Sequence, residues 1–223
     1  MQPHQYWQEL RPRGSFAGDD GFTESYPAEL GDGRQLLLPI RPLPDGRTGL
    51  ASLIVNQASF VVLAALADEL ARQLATARPE IVVGLPTLGL TLASAVAQRL
   101  GHSRYVPLGT SRKFWYDEQL SVPLSSITTP EQSKRLYLDP RMLALLVGRR
   151  VALLDDVIST GSSIVAGLRL LQSVGIEPVA IGAAMLQSDR WKERLATVWP
   201  GTVTGVLSTP LLQRTASGRW SPA

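Results

Sequence analysis

Residues 151–164 read VALLDDVISTGSSI, an apolar run that ends in two adjacent carboxylates and continues through a cluster of Ser, Thr and Gly. The apolar run predicts a buried strand, and the residues after it predict the start of a helix. Ligands of an open parallel sheet bind beyond the carboxyl ends of its strands, where Asp155 and Asp156 lie. The stretch therefore predicts a ligand site at this point of the sheet.

The loop after this strand is suited to an anion. Its backbone N–H groups and the helix N-terminus behind them attract negative charge, and Gly161 lets the backbone approach a phosphate closely. The predicted phosphate-binding residues are Ser159, Thr160, Gly161, Ser162 and Ser163. Carboxylates that accept from hydroxyl groups beside donors for a phosphate fit a ribose 5-phosphate unit, with its diol on Asp155 and Asp156. For an Asp-Asp pair alone, a strand stop with a helix-capping role is the alternative.

Other phosphate motifs are missing from the sequence. Neither GxxxxGK[ST] nor GxGxxG occurs, which weakens an ATP or dinucleotide interpretation. With no cysteine in the chain, disulfides, thiolate metal sites and Cys nucleophiles are excluded. The only histidines are His4 and His102, so a His-based triad or zinc site is not expected.

Composition indicates the class of protein. The chain has 223 residues, 44% of them hydrophobic, which suits one globular domain with a small subdomain. A net charge of +3 without a Lys-rich run does not indicate nucleic-acid binding. Residues 1–14 lack the apolar core of a signal peptide, and the apolar stretch 58–70 contains Asp68 and Glu69. We expect a soluble, cytoplasmic protein with no membrane partner.

Strand and helix patterns alternate along the chain. Apolar residues recur at helical spacing from Ser59, a predicted N-cap, and Thr87 is a predicted cap for a second helix. The predicted helices cover 59–78, 88–100 and 163–174, and the predicted strands cover 36–40, 81–86, 104–108, 150–158, 179–186 and 203–208. This alternation predicts an α/β fold with an open parallel sheet and helices on both faces.

Three regions depart from the alternation. Residues 1–50 are predicted to be an N-terminal leader and part of a second, small unit, and residues 1–35 within them are predicted to be loose or irregular. Residues 51–210 form the predicted core, and 211–223 a C-terminal tail. Within the core, residues 109–140 are polar and contain Pro123 and Pro130, as a lid does, although a surface insertion without a role is the alternative. A hairpin is predicted within 120–127.

The stretch from Val151 to Ser163 resembles the phosphoribosyl pyrophosphate motif of type I phosphoribosyltransferases: a strand, two acids, two apolar residues and a Ser/Thr/Gly loop. The resemblance extends over about residues 55–190. It implies a first loop that binds pyrophosphate, often with a non-proline cis peptide, at Pro86, Thr87, Leu88 and Gly89. It also implies that residues 109–140 are a flexible lid, from which Arg112 and Lys113 contact pyrophosphate as catalytic residues.

The resemblance implies transfer of ribose 5-phosphate from phosphoribosyl pyrophosphate to a nucleobase. It implies Mg²⁺ as cofactor, bound by Asp155 and Asp156 through water, and a homodimer. A variable "hood" of N-terminal residues and residues after Leu186 covers the base in this family, so Asp189 and Trp191 are base-site candidates. A packing role is the alternative for Trp191, as is an N-cap for Asp189.

Ser159 bears on the identity of the base. Hypoxanthine-guanine enzymes with a similar motif carry an Asp where Ser159 stands, whereas adenine-, xanthine- and orotate-type enzymes carry a small residue. The layout resembles adenine phosphoribosyltransferases, although their loop Glu has no clear match among Asp117, Glu118 and Glu131. Two other functions are weighed against transfer: a regulator that binds phosphoribosyl pyrophosphate without catalysis, and a metal-dependent phosphotransferase or hydrolase.

Overall fold

The computed structural model describes residues 1–16, 21–124 and 134–223. The strands are β1 (Ser25–Glu29), β2 (Gln35–Pro42), β3 (Thr48–Ala51), β4 (Ile81–Gly84), β5 (Val106–Pro107), β6 (Ser121–Leu124), β7 (Lys134–Tyr137), β8 (Val151–Ile158), β9 (Ala180–Gln187), β10 (Val203–Thr209), β11 (Leu211–Arg214) and β12 (Trp220–Pro222). The α-helices are α1 (Phe60–Leu74), α2 (Gly89–Arg99), α3 (Ser162–Gln172) and α4 (Lys192–Ala196). Short 3₁₀ helices cover Pro3–Gln5, Val55–Gln57, Ala75–Ala77, Glu118–Leu120 and Pro140–Leu145.

The core is a parallel sheet in the order β10-β9-β8-β4-β5, with β8 at its centre. Successive side chains of a strand point to opposite faces, and β8 is apolar on both. Ala152 and Leu154 pack with α1 and α2, whereas Val151 and Leu153 pack with α3. A strand buried on both faces is typical of a parallel sheet between helix layers. The α/β fold predicted from the sequence is confirmed.

Helix α1 forms where the apolar spacing predicts it. The Ser59 side chain caps it by accepting from the Val62 N–H at 3.2 Å. Buried residues recur along one face at Val62, Leu66 and Leu70, which covers the sheet. Among the described residues, no helix is long and apolar enough to cross a membrane.

The hood is an antiparallel sheet in the order β1-β2-β3-β11-β12, so both ends of the chain contribute to it. The prediction of a loose leader is wrong for its described part, because Tyr6 and Trp7 are buried in the core and β1 pairs with β2. Residues 211–223 are not a free tail either, since β11 pairs with β3. Trp220 anchors this end: a Cβ added at Gly49 would lie 2.9 Å from its ring.

The insertion at 109–140 is partly folded onto the core. Strand β6 pairs with β7, so the hairpin joins 121–124 to 134–137 and does not lie within 120–127 as predicted. Leu136 and Leu138 are buried in the same cluster as Val165 of α3, which holds the hairpin against that helix. Residues 125–133, including Glu131, lie outside the described residues.

The burial of Trp7 gives a test of the N-terminal packing. Its indole N–H donates to the Ser52 carbonyl at 3.0 Å, and the side chain is almost fully buried. We predict that Trp7→Ala lowers the free energy of unfolding by about 3–5 kcal/mol. Phe60→Ala, at a side chain that is 88% exposed, is the control and should change it by less than about 0.5 kcal/mol. Denaturant unfolding measures the stability of both variants. A Trp7→Ala protein as stable as the parent would contradict the burial of Trp7 in the core.

Candidate functional site

The two carboxylates lie where β8 leaves the sheet. Asp155 is 6% exposed, Asp156 is half-buried, and the Asp155 Oδ1 accepts from the Asp156 N–H at 2.9 Å. Among the described residues, neither carboxylate takes part in a salt bridge. Within these residues, no internal cation therefore neutralises either carboxylate.

Burial shifts the pKa values of this pair. It raises the pKa of the Asp155 carboxyl well above its usual value, and the neighbouring Asp156 charge raises it further. Burial also raises the pKa of Asp156. A carboxylate that is costly to desolvate is stabilised by hydroxyl donors or by a cation. The pair is therefore arranged to gain from a ligand that brings either.

Gly89 connects the carboxylates to the loop after β4. A Cβ added at Gly89 would lie 2.8 Å from the Asp155 Oδ1 and 3.0 Å from the Asp155 Cα. Only a residue without a side chain fits there, so the start of α2 packs directly on the end of β8. The predicted pyrophosphate loop, Pro86–Gly89, and the predicted ribose-binding acids thus meet at one point.

Both loops lead into helices whose first turn is open. The N-cap of α3 is Gly161, in the left-handed conformation at φ 77°, and the N-cap of α2 is Leu88. Neither residue has a side chain that accepts hydrogen bonds, so neither caps the N–H groups behind it. The prediction that Thr87 caps α2 is wrong, because the helix begins one residue later. The Pro86–Thr87 peptide is cis, as the family resemblance implies.

These two helix starts belong to neighbouring strands. Strands β4 and β8 pair in parallel, with Gly84 opposite Leu154, so α2 and α3 begin at the same edge of the sheet. Strands in a sheet lie about 4.8 Å apart, and a helix N-terminus attracts an anion. The edge therefore carries two helix starts, each suited to an anion, beside the carboxylates.

The loop after β8 encloses a small cavity. Its volume is about 90 Å³, and it is lined by Asp155 together with residues 157–164. All five predicted phosphate-binding residues, Ser159, Thr160, Gly161, Ser162 and Ser163, line it. The Thr160 and Ser162 hydroxyl oxygens are 3.1 Å apart. The structure thus brings these five together in a concave loop with N–H and O–H donors.

The structure places Arg112 and Lys113 in the exposed first part of the insertion. Arg112 pairs with Glu118 at 3.3 Å, and Arg135 pairs with the same carboxylate at 3.3 Å. These contacts lie within the insertion. The structure does not bring Arg112 or Lys113 into contact with the two loops.

The two aromatic residues that follow Lys113 differ in their contacts. Phe114 is 97% exposed, whereas Trp115 is fixed by Arg141, whose guanidinium lies 4.4 Å from its ring centre, and by Asp139. Hydrogen bonds from Arg141 lower the pKa of Asp139 to about 2. These contacts hold Trp115, near the start of the insertion, against Asp139 and Arg141 at its end.

Asp189 and Trp191 line a separate cavity of about 510 Å³, at the ends of β9 and β10 and beside β11 of the hood. Trp191 is only 8% exposed and packs with Ile158 and Ile164, which favours a packing role over stacking on a base. The backbone of Trp191 lies against Gly161, so Trp191 packs against the loop after β8. Asp189 does not cap a helix at Arg190: α4 begins at Lys192, with which Asp189 forms an ion pair at 2.7 Å.

Sequence reasoning missed two arginines that reach the loop after β8. Arg190 donates to the Ser159 Oγ at 2.9 Å, and Arg194 donates to the Ser162 Oγ. The sequence carries no local signal for this, because Arg190 lies in the turn before α4 and only Arg194 lies within that helix. The two contacts depend on packing across some thirty residues of chain.

The residues fit a magnesium ion that takes most of its ligands from substrate and water. No group of three or more His, Cys, Asp or Glu side chains suited to a metal occurs among the described residues. Mg²⁺ is commonly held by one or two carboxylates plus substrate phosphates and waters. Asp155 and Asp156 supply that number of carboxylates beside the two helix starts.

Comparison with known proteins gives a family match. Residues 51–212 match the family described as a phosphoribosyl transferase domain. The chain is 26% identical to a hypoxanthine/guanine phosphoribosyltransferase of Methanosarcina mazei, over 67% of this chain and 70% of that protein. It is 32% identical to an adenine phosphoribosyltransferase of Albidiferax ferrireducens over 49% of this chain, and the match spans only 52% of that relative.

A solved structure supports the fold. The adenine phosphoribosyltransferase of Rhodothermus marinus superposes with a TM-score of 0.56 at 22% identity, covering 76% of this chain and 94% of that chain. At 22% identity, the similarity supports a shared fold and not a shared activity.

The raised pKa of Asp155 predicts a pH-dependent gain in stability for Asp155→Asn. An acid whose pKa is higher in the folded state contributes stability below its ordinary pKa of about 4, and that contribution is lost as pH rises. The variant does not titrate at this position, so its unfolding temperature should exceed that of the parent at pH 7–8. The difference should shrink towards pH 4.

Asp45→Asn is the control for this experiment. Hydrogen bonds from Thr48 lower the pKa of Asp45, so the ionised carboxylate stabilises the folded state. The Asp45→Asn variant should therefore be less stable than the parent at pH 7. Thermal unfolding at several pH values measures both. An Asp155→Asn variant that is no more stable than the parent at pH 8 would contradict the assignment.

Proposed function

Because the chain belongs to the phosphoribosyl transferase domain family, we propose that it transfers the ribose 5-phosphate group of phosphoribosyl pyrophosphate to a nucleobase and releases pyrophosphate. The observation that carries the proposal is the pair of open helix starts on neighbouring strands with two carboxylates between them. A ligand with a phosphate at each end and a diol in the middle matches this arrangement.

Each part of the site has a role in binding. The loop 159–163 holds the 5-phosphate through N–H and O–H donors, and the loop 86–89 holds the pyrophosphate at the start of α2. Asp155 and Asp156 accept from the ribose hydroxyl groups. With the sugar fixed at three points, its reactive carbon faces the acceptor in one orientation, which lowers the entropic part of the barrier.

The bond that breaks joins the sugar carbon to the pyrophosphate oxygen, and the bond that forms joins that carbon to a ring nitrogen of the base, whose N–H proton passes to the departing pyrophosphate or to water. Negative charge grows on the departing pyrophosphate, which the N–H groups at the start of α2 stabilise. Arg112 and Lys113 are proposed to add positive charge there when the first part of the insertion lies over the ligand. Asp155 and Asp156 do not act as nucleophiles.

Mg²⁺ is proposed as the cofactor. When bound, it supplies positive charge to the pyrophosphate oxygens. Asp155 and Asp156 would hold it, through water, together with the substrate oxygens. The raised pKa of both carboxyls is consistent with sites that gain from an added cation.

We propose adenine as the acceptor. The support is the similarity to an adenine phosphoribosyltransferase and the presence of Ser159, a side chain that does not titrate near neutral pH. The cavity lined by Asp189 and Trp191, between the sheet edge and the hood, is the proposed base site. Its polar lining, Ser188, Ser208 and Thr209, offers hydrogen-bond partners to the edge of a planar base.

An acceptor panel tests the function. The protein is mixed with phosphoribosyl pyrophosphate, Mg²⁺ and one base at a time, from adenine, guanine, hypoxanthine, xanthine, uracil and orotate, and pyrophosphate release is measured. Adenine should give the highest kcat/KM. Release with a different base would contradict the acceptor but not the reaction. Binding of phosphoribosyl pyrophosphate without release with any base would replace the proposal with a regulator.

Asp156→Asn tests the ribose contact in the same assay. Loss of a charged acceptor for the hydroxyl groups should lower kcat/KM by about 10- to 100-fold. Asp68→Asn, an exposed carboxylate on α1, is the matched control and should leave the rate unchanged. Equal rates for the parent and the Asp156→Asn protein would contradict the role given to Asp156.

A further inference from the structure

We propose that Arg190 and Arg194 are positioning residues for the 5-phosphate: they orient the Ser159 and Ser162 hydroxyls and place positive charge beside the loop 159–163. This inference rests on the proposed function, since the ligand of that loop is the 5-phosphate. Arg190 donates from Nη2 to the Ser159 Oγ at 2.9 Å, and Arg194 donates from Nη1 to the Ser162 Oγ.

The direction of these hydrogen bonds fixes the serine protons. A guanidinium only donates, so each serine oxygen acts as the acceptor and its own O–H must point elsewhere. Both serines line the loop cavity, and the Ser162 Oγ also lies 3.1 Å from the Thr160 Oγ1, which can accept its proton. Arg190 therefore leaves the Ser159 hydroxyl to donate to a phosphate in the cavity, and Arg194 leaves the Ser162 hydroxyl to donate to that phosphate or to Thr160.

Local packing holds the arginines in place. Trp191, between them in sequence, is buried, and its backbone lies against Gly161 of the loop. Arg190 also donates from Nε to the Ser188 Oγ at 3.2 Å, which fixes the plane of its guanidinium. The segment that carries the arginines is thus fastened to the loop whose serines they contact.

The charge of both arginines is available to a ligand. Asp189, the acid within the same segment, pairs with Lys192 at 2.7 Å. In the part of the chain that the structure describes, neither Arg190 nor Arg194 has a carboxylate at salt-bridge distance. A phosphate dianion in the loop would gain from two nearby cations that no internal anion neutralises.

Calorimetric titration with ribose 5-phosphate tests the proposal in the full chain. Arg190→Gln and Arg194→Gln should each weaken binding by about tenfold, because each removes a cation and the restraint on one hydroxyl. Arg149→Gln is the matched control: it removes an exposed arginine just before β8, at the opposite end of that strand from the loop 159–163. Its affinity should stay within about twofold of the parent.

Two further readouts separate positioning from a structural role. The phosphate dianion forms with a pKa near 6, so the parent should bind more tightly at pH 7.5 than at pH 5.5, and Arg190→Gln should reduce that difference. Ser159→Ala and Arg190→Gln should combine non-additively, since the arginine acts through that hydroxyl. Arg190→Lys keeps the charge and should recover part of the affinity, which also guards against misfolding of the Gln variant.

The outcomes of these experiments separate the proposed role of Arg190 and Arg194 from the proposed transferase function. A parent protein that neither binds ribose 5-phosphate nor releases pyrophosphate with any base overturns both. A parent that binds ribose 5-phosphate and releases pyrophosphate, with Arg190→Gln and Arg194→Gln proteins of unchanged affinity, overturns the role of the arginines alone.

Discussion

The packing of the Gly89 backbone against Asp155 is the contact on which the site depends. Because a Cβ at Gly89 would lie 2.8 Å from the Asp155 Oδ1, the start of α2 reaches the end of β8 only with glycine at that position. The contact sets the spacing between the two loops that are suited to anions. It also buries a carboxylate whose pKa is raised as a result. The fold thus keeps a carboxyl group whose ionisation is unfavourable at the point where a ligand would stabilise its charge.

The sequence was sufficient to predict the strands and helices of the core and the grouping of the candidate residues around β8, because the signals for both are local in the chain. The apolar run of β8 is buried on both faces, as such runs are in parallel sheets. Asp155, Asp156 and the five loop residues follow one another within a dozen positions, so a single strand–loop–helix unit places them all. The capping residue of α1 was likewise readable from Ser59 and the spacing behind it.

What the sequence did not reveal depends on contacts between distant segments. Strand β11 reaches the hood by pairing with β3, and Trp7 is buried near Ser52, although nothing local marks either pairing. The partner of β6 was misplaced because residues 125–133 separate it from β7. Arg190 and Arg194 were passed over for the same reason: only the packing of Trp191 on Gly161 brings them to Ser159 and Ser162.

The central claim is that the sheet edge holds two separate anion sites with a diol site between them. Calorimetric competition tests it most directly, by titrating ribose 5-phosphate in the absence and presence of saturating pyrophosphate, with Mg²⁺. The account predicts that both ligands bind at once, and that phosphoribosyl pyrophosphate displaces both and binds more tightly than either because one molecule joins the two ends. Mutual exclusion of ribose 5-phosphate and pyrophosphate would show a single anion site and contradict the account.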